Sequence, residues 1–303
     1  MKIKKILIVG GNGVVGSQLT KHLSSTYTKY ILDKKKNNLN NLNFLKIDLL
    51  KQNKSKKIPE NIDVIFFLVG IIGGQKSLDI KNFHKYFDYN CKTLLNFLNI
   101  VKNQKIKKII FTSTEHVYGD NHFEKKNIEN LEPNPKNYYG VTKLISEKII
   151  QNFCNQRKIS LDIFRFPRVI SKNNYNIISK IKKVTLMKKN ILINKSNINL
   201  NFIYIDDLLN AFVKSMKQKN KVIRILNIFN NSKSISILSI SKIIVKQMKT
   251  NSKILLSKKK NIIDHNPKNL NISNSYSKKQ LNWNPAYNNI QIVKKNIKEN
   301  EVK

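Results

Sequence analysis

The chain opens with a short apolar run, Lys5–Val9, rich in β-branched residues, which predicts a buried strand. Gly10-Gly11-Asn12-Gly13-Val14-Val15-Gly16 follows, and Ser17-Gln18-Leu19 opens a helix that fades near Ser24-Ser25. Four further runs repeat the strand signal: Lys29–Asp33, Phe44–Leu49, Asp63–Val69 and Lys107–Thr112. Phe83–Val101 reads as one long helix, with Phe83, Phe87, Cys91, Leu94, Leu95 and Leu98 as its apolar stripe. Asn90 adjoins that stripe, and an Asn in the middle of a helix is ordinarily exposed. A further helix carries Tyr138-Tyr139-Gly140-Val141-Thr142-Lys143 and runs on through Leu144, Ile145, Glu147 and Ile149. Ser160–Phe166 is a sixth strand, ending at Pro167-Arg168. Strands alternating with helices predict a parallel, doubly wound sheet.

From Asn173 the pattern breaks up. Ile177–Met187 predicts a helix and Asn201–Ile205 a strand, after which Asp206-Asp207 would cap a helix running to Met216. Ile223–Ile228 predicts a strand, and Ser236–Met248 a helix capped by Ser234 or Ser236. Leu281-Asn282-Trp283-Asn284-Pro285 precedes a last basic helix. Polar loops span Asn37–Asn43 and Asn121–Asn137. The expected division places residues 1–170 in a dinucleotide-binding domain, with 201–228 folding back onto it. Residues 171–200 and 229–303 would form a smaller substrate-binding lobe.

With 303 residues the chain can bury a sizeable core, and an apolar content of 40% argues against disorder. The formal net charge of +39 raises a nucleic-acid or anionic-membrane partner. The lysines are spread through every segment together with Asn and Ile, and Arg is rare. That distribution argues against a nucleic-acid module, although the charge would help attract a phosphorylated substrate. Cys91 and Cys154 lie far apart without a ligand spacing, which implies a reducing compartment and no metal. The first apolar run stops at Gly10, too short for a signal peptide, and no run reaches a membrane span. A soluble cytoplasmic protein is expected.

Strand, glycine turn and helix form the context of a dinucleotide fingerprint, here spaced G-x-x-G-x-x-G. Gly10 permits the tight turn, Gly13 lets the backbone approach a pyrophosphate, and Gly16 lets the helix pack on the strand. The free N–H groups of the helix start would face the phosphates. Asp33 ends the second strand, where a carboxylate can bind both adenosine ribose hydroxyls and repel a 2′-phosphate, which favours NAD over NADP. Tyr139 and Lys143 stand four apart and share a helix face. A cation beside a phenol lowers its pKa and fits it to take a proton from an alcohol. Taken alone, the same spacing also describes a half-buried Tyr beside a solvated Lys. Ser113-Thr114-Glu115-His116 closes the fifth strand and places hydroxyl, acid and imidazole beside the Tyr139 helix.

These motifs, in this order over nearly the whole chain, resemble the extended short-chain dehydrogenase/reductase family of nucleotide-sugar epimerases and dehydratases. The match adds Asp48-Leu49, Leu68-Val69-Gly70, Asn90, Val117-Tyr118-Gly119, Glu147, Arg165, Ile205-Asp206-Asp207-Leu208 and Leu281-x-Trp283-x-Pro285. The resemblance implies an α/β protein with a Rossmann-like doubly wound parallel sheet and a small C-terminal substrate-binding lobe. It implies Tyr139, Lys143 and Thr114 as catalytic residues. Gly10, Gly13, Val14, Val15, Gly16, Asp33, Asp48, Leu49, Asn90, Lys143 and Pro167 would hold NAD, and Thr114, His116 and Arg168 the substrate. The implied reaction is epimerisation of a nucleotide-diphosphate sugar through a transient keto sugar, with a 4,6-dehydratase, a keto-sugar reductase or a non-catalytic dinucleotide-binding protein as alternatives. Relatives often pair as homodimers through the helices near 83–101 and 139–155. The sequence departs from the family at His116, where the dehydratase branch has an acid. It departs again at Arg168, often Asn, at Leu200-Asn201, often Arg-Asp, and at Val69-Gly70, more usually an Ala pair.

Overall fold

The structure is a computed structural model and describes residues 2–35, 43–51, 58–120, 132–172, 175–194, 198–218, 222–257 and 272–299. The loops expected at Asn37–Asn43 and Asn121–Asn137 fall largely outside them. Seven strands build the central sheet: β1 (Lys5–Val9), β2 (Thr28–Asp33), β3 (Asn43–Lys46), β4 (Val64–Phe67), β5 (Lys108–Thr112), β6 (Ser160–Arg165) and β7 (Ile223–Asn227). Their spatial order is β7-β6-β5-β4-β1-β2-β3, and every pairing is parallel. The order reverses between β1 and β4, the place where a doubly wound sheet opens a crevice at its carboxyl edge.

Alternate side chains of each strand point to opposite faces. Ile6 and Ile8 of β1, Phe66 of β4, Ile110 of β5 and Phe164 of β6 join one core, with Leu19 of helix α1 (Val14–His22). Leu7, Val9, Ile65, Phe67, Ile109 and Phe111 join the other, under Leu94, Phe97 and Ile150. Burial on both faces is why these strands read as continuous apolar runs.

Phe83–Val101 is helical throughout, as one element α2, but a π-helical turn at Asp88–Lys92 interrupts it. A π turn inserts extra residues per turn and shifts the phase of the stripe. Leu95 is 45% exposed, whereas Asn90 is 1% exposed. Both ends of the Asn90 amide are satisfied: Oδ1 accepts from Ile71 N–H at 3.0 Å, and Nδ2 donates to Thr142 Oγ1 at 3.0 Å.

Helix α3 spans Tyr138–Arg157, α4 Ile177–Leu186 and α5 Ile205–Lys217. Phe212 of α5 packs on Phe66 and Phe164, with ring centroids 5.7 and 4.9 Å apart, and β7 then adds to the sheet beside β6. The expected strand at Asn201–Ile205 is shorter, Phe202–Tyr204, and pairs with Arg168–Ile170. Asp206 and Asp207 do not cap α5. Its N-cap is Tyr204, without a side-chain cap, and both acids lie in the first turn. Asp207 instead accepts from the Ala286 and Tyr287 N–H groups at 2.9 and 3.3 Å, and its carbonyl accepts from Trp283 Nε1 at 2.9 Å. The tail motif is thus tied to the start of α5 by long-range hydrogen bonds rather than by a local cap. Helices α6 (Ile237–Gln247), α7 (Ser275–Leu281) and α8 (Asn289–Glu299) follow, and Ser236 caps α6. Among the described residues no helix is long and apolar enough to cross a membrane.

Candidate active site

Gly10 leaves β1 with φ +82, a left-handed turn that glycine adopts at no cost, and donates to Leu32 O at 2.8 Å. At Gly16 a Cβ would stand 2.4 Å from Gly10 O, so α1 touches the turn backbone. Gly11 is equally constrained, since its Cβ would stand 2.5 Å from Ile31 Cγ2. Gly13 is the N-cap of α1 and offers no side chain to the first-turn N–H groups. Above this turn lies a cavity of about 520 Å³, lined among others by Gly10, Gly13, Val14, Val15, Gly16 and Gly70. A small backbone surface with uncapped N–H donors, facing open space at the switch point, fits a dinucleotide pyrophosphate.

Asp33 ends β2 beside the same turn, accepting from Asn12 N–H at 3.0 Å and Lys34 N–H at 2.8 Å. Asp48 and Leu49 lie in a turn just past β3, because the strand stops at Lys46. Asp48 Oδ1 accepts from Leu50 N–H at 3.1 Å, and Leu49 turns its side chain into the core. Pro167 is buried past the end of β6.

On the far side of Gly70 and Tyr86 stands the Tyr139 group. Asn137 caps α3 by accepting from Gly140 N–H at 2.8 Å, which sets Tyr139 in the first turn. The Tyr139 phenol hydrogen-bonds the Thr114 side chain, and its ring packs on His116 and Tyr86 with centroids 5.3 and 6.4 Å apart. Gly73 is pressed against the same ring, where a Cβ would meet Cδ1 at 2.6 Å. Lys143 is 4% exposed, and its Nζ lies 4.4 Å from the centre of the Phe111 ring. The same ammonium would stand 3.9 Å from a Cβ on Gly70, the residue that borders the cavity.

The electrostatics differ from the sequence expectation. Burial pushes the Tyr139 phenol up to about 12, opposed by the Thr114 hydrogen bond and by Arg168, and reinforced by Glu115. The Lys143 ammonium is directed over the Phe111 ring. Burial also pulls Lys143 down to about 8, against the attraction of Glu147 one turn along α3. A shared helix face brings the two residues near one another but leaves desolvation to decide the phenol.

Glu147 is itself fixed. It accepts from Arg165 Nε at 3.1 Å and Arg165 Nη2 at 2.6 Å, and Ser113 Oγ donates to its Oε1. Arg165 stacks its guanidinium 4.8 Å from the Tyr118 ring centre.

Two positions where the sequence departs from its family, Arg168 and Asn201, meet at Glu115. The carboxyl is 3% exposed, lies 3.7 Å from Arg168 Nη1 and accepts from Asn201 Nδ2 at 3.4 Å. Burial raises Glu115 to about 7, against Arg168 and Asn201. Between its ordinary pKa and this one, the folded chain keeps a proton that the unfolded chain has lost, so stability falls as pH rises through that window. The shift of pKa 4.5 to about 7 corresponds to about 3 kcal/mol. Glu115→Gln is expected to gain stability relative to wild type at pH 8 over pH 5, and urea midpoints at the two pH values measure it. Parallel curves would show that Glu115 is ionised at ordinary cost.

Glu115 was legible in the sequence only as a strand-end acid, and the places of Tyr86 and Gly73 against Tyr139 were not legible there. Their contacts come from segments distant along the chain. Among the described residues no group of three or more His, Cys, Asp or Glu is arranged to hold a metal ion.

Comparison with known proteins gives the family and the fold. Residues 6–228 match the model of the NAD dependent epimerase/dehydratase family. A dTDP-D-glucose 4,6-dehydratase of Dictyostelium discoideum is 29% identical over 239 residues, 69% of this chain and 55% of the relative. A putative UDP-glucose 4-epimerase of Methanocaldococcus jannaschii is 26% identical over 234 residues, 73% of this chain and 76% of the relative. The chain spans little more than half the length of the first curated relatives it matches, 55% in each of two. Among solved structures, UDP-glucuronic acid 4-epimerase from Bacillus cereus in complex with UDP-glucuronic acid and NAD superposes with a TM-score of 0.84. It is 24% identical and covers 98% of this chain and 99% of that one, a likeness of fold. With the glycine turn, the Thr114–Tyr139 contact and Lys143 all placed at the carboxyl edge of one parallel sheet, and with the family's model matched from β1 to the residue after β7, the chain belongs to the NAD dependent epimerase/dehydratase family.

Proposed function

We propose that this chain is an NAD-dependent enzyme that epimerises a nucleotide-diphosphate sugar. One observation carries the reading: a phenol held by a strand-end threonine, with a buried lysine one turn on, across Gly70 from a glycine-lined cleft. Gly10, Gly13 and Gly16 would hold the pyrophosphate, Asp33 the adenosine ribose, and Lys143 the nicotinamide end, with Asn90 fixing Ile71 in the cavity wall. When bound, oxidised NAD takes up and returns the hydride, and its cationic ring favours a phenolate nearby. Thr114 orients the sugar hydroxyl, and Tyr139 takes that proton and gives it back. Arg168, 29% exposed at its side chain, would grip an anionic part of the substrate, and His116 would border the sugar.

A second reading is supported by Glu115. A buried carboxyl that titrates near 7 beside the phenol is suited to proton transfer, as removal of water from the sugar would require. One experiment separates the two. The purified protein is incubated with nucleotide sugars, and products are followed by mass spectrometry and NMR. A product of unchanged mass and inverted stereocentre supports epimerisation. Loss of one water identifies a dehydratase, and consumption of added NADPH a reductase.

Asp33→Ala is expected to weaken NAD by about tenfold or more, the worth of a hydrogen bond to a charged group. It should also narrow the preference for NAD over NADP. Titration of both dinucleotides measures it, and an unchanged ratio would remove Asp33 from cofactor choice.

A further inference from the structure

Two bonds of the Asn137 side chain, which starts α3, bear on His116. Asn137 Oδ1 accepts from the Gly140 backbone N–H at 2.8 Å. A backbone N–H only donates, so this bond fixes which end of the amide is oxygen. The other end, Nδ2, lies 2.9 Å from His116 Nδ1. An amide NH₂ only donates as well. Nδ1 must therefore accept through its lone pair, and the proton of the neutral ring sits on Nε2. Protonating Nδ1 would set two donors against each other. Asn137 is 4% and His116 7% exposed, so bulk water is poorly placed to relieve such a clash. The imidazole meets the Tyr139 ring edge to face, with centroids 5.3 Å apart and planes at 70°. His116 O also presses on α3, 2.5 Å from where a Cβ of Gly140 would stand.

We propose that Asn137 is a positioning residue that holds His116 as the neutral Nε2–H tautomer against the Tyr139 ring, so that no imidazolium forms beside the phenol at neutral pH. The inference rests on Tyr139 being the reacting group. The groups facing His116 include Tyr139 and Asn137 from the α3 side and Thr114, whose hydroxyl accepts from the His116 backbone N–H at 3.2 Å. The neighbouring Glu115 carboxyl would favour an imidazolium, and it is engaged instead by Arg168 and Asn201. A neutral histidine leaves the proton affinity of Tyr139 undisturbed over the range in which histidines ordinarily titrate.

The test is NMR of the full chain labelled with ¹⁵N-histidine, with the His116 signals assigned by their loss in His116→Gln. Between about pH 5 and 8, His116 should show an unprotonated Nδ1 and a protonated Nε2 that do not move. A ring that titrates in this range, or carries its proton on Nδ1, overturns the proposal. Asn137→Asp supplies the second arm. Aspartate still caps α3 by accepting from Gly140 N–H, so the fold is retained, but its other oxygen now accepts from Nδ1. His116 should become doubly protonated at neutral pH, and the pH–rate profile should gain an ionisation absent from wild type. Adding His116→Gln to Asn137→Asp should remove it again. A neutral His116 in Asn137→Asp, with an unaltered profile, equally overturns the proposal. The spectra are read without substrate. Failure of every nucleotide sugar to react would count against the proposed function and leave the histidine result standing.

Discussion

Tyr139→Phe lowers turnover by about a hundredfold or more, with binding of NAD nearly unchanged. Phenylalanine keeps the ring against His116, Tyr86 and Gly73, so the packing around the first turn of α3 survives. Only the hydroxyl bonded to Thr114 is lost. The residues assigned to the pyrophosphate lie in the turn after β1, on the other side of Gly70, and do not touch that hydroxyl. The direction of the phenol's shift sharpens the expectation. At about 12 it is protonated throughout the neutral range, so a phenolate forms only when bound charge offsets the burial. The rate should therefore depend on Tyr139 far more than cofactor affinity does. Single-turnover kinetics and NAD titration on the same preparation measure the two separately. Wild-type turnover in Tyr139→Phe would remove the phenol from the proposed reaction.

Arg165→Met is the second large effect, and it acts on stability. Arg165 and Glu147 are 2% and 1% exposed at their side chains and share two hydrogen bonds. Removing one member of a buried pair leaves an uncompensated charge, and the cost is about 3–5 kcal/mol. Methionine keeps much of the volume beside Tyr118, so the loss reads the charge more than the packing. Glu147 then keeps Ser113 and the nearby Lys143 as its remaining partners. Urea denaturation measures the loss. Arg165→Met with Glu147→Leu should recover part of it, because no charge is then stranded. A single variant within about 1 kcal/mol of wild type would mean that the pair is solvated in solution.

Much of the fold was legible from periodicity. Six strands of the sheet, helix α1 and the Tyr139 helix fall close to the places their apolar patterns indicate. The seventh strand was legible as a strand but not as the edge beside β6. The misses share one cause. Asn90 looked exposed because a polar residue in mid-helix usually is, yet Ile71 and Thr142, both outside its helix, bond its amide in the interior. Asp206-Asp207 looked like a cap, yet Asp207 answers to backbone some eighty residues further on. Glu115, Arg168 and Asn201 lie on three separate segments, and nothing in their local pattern says that they meet.

By itself the sequence determined the parallel sheet, the glycine turn with Asp33 behind it, and the Tyr139–Lys143 spacing, because these follow from local sterics and a repeating period. The tertiary structure decided which polar groups lose water and whom they face. It turned the phenol upward rather than downward in pKa and placed Glu115 between Arg168 and Asn201. Desolvation and long-range pairing depend on chain segments that no local pattern specifies, so the chemistry of this site is set by how those segments meet.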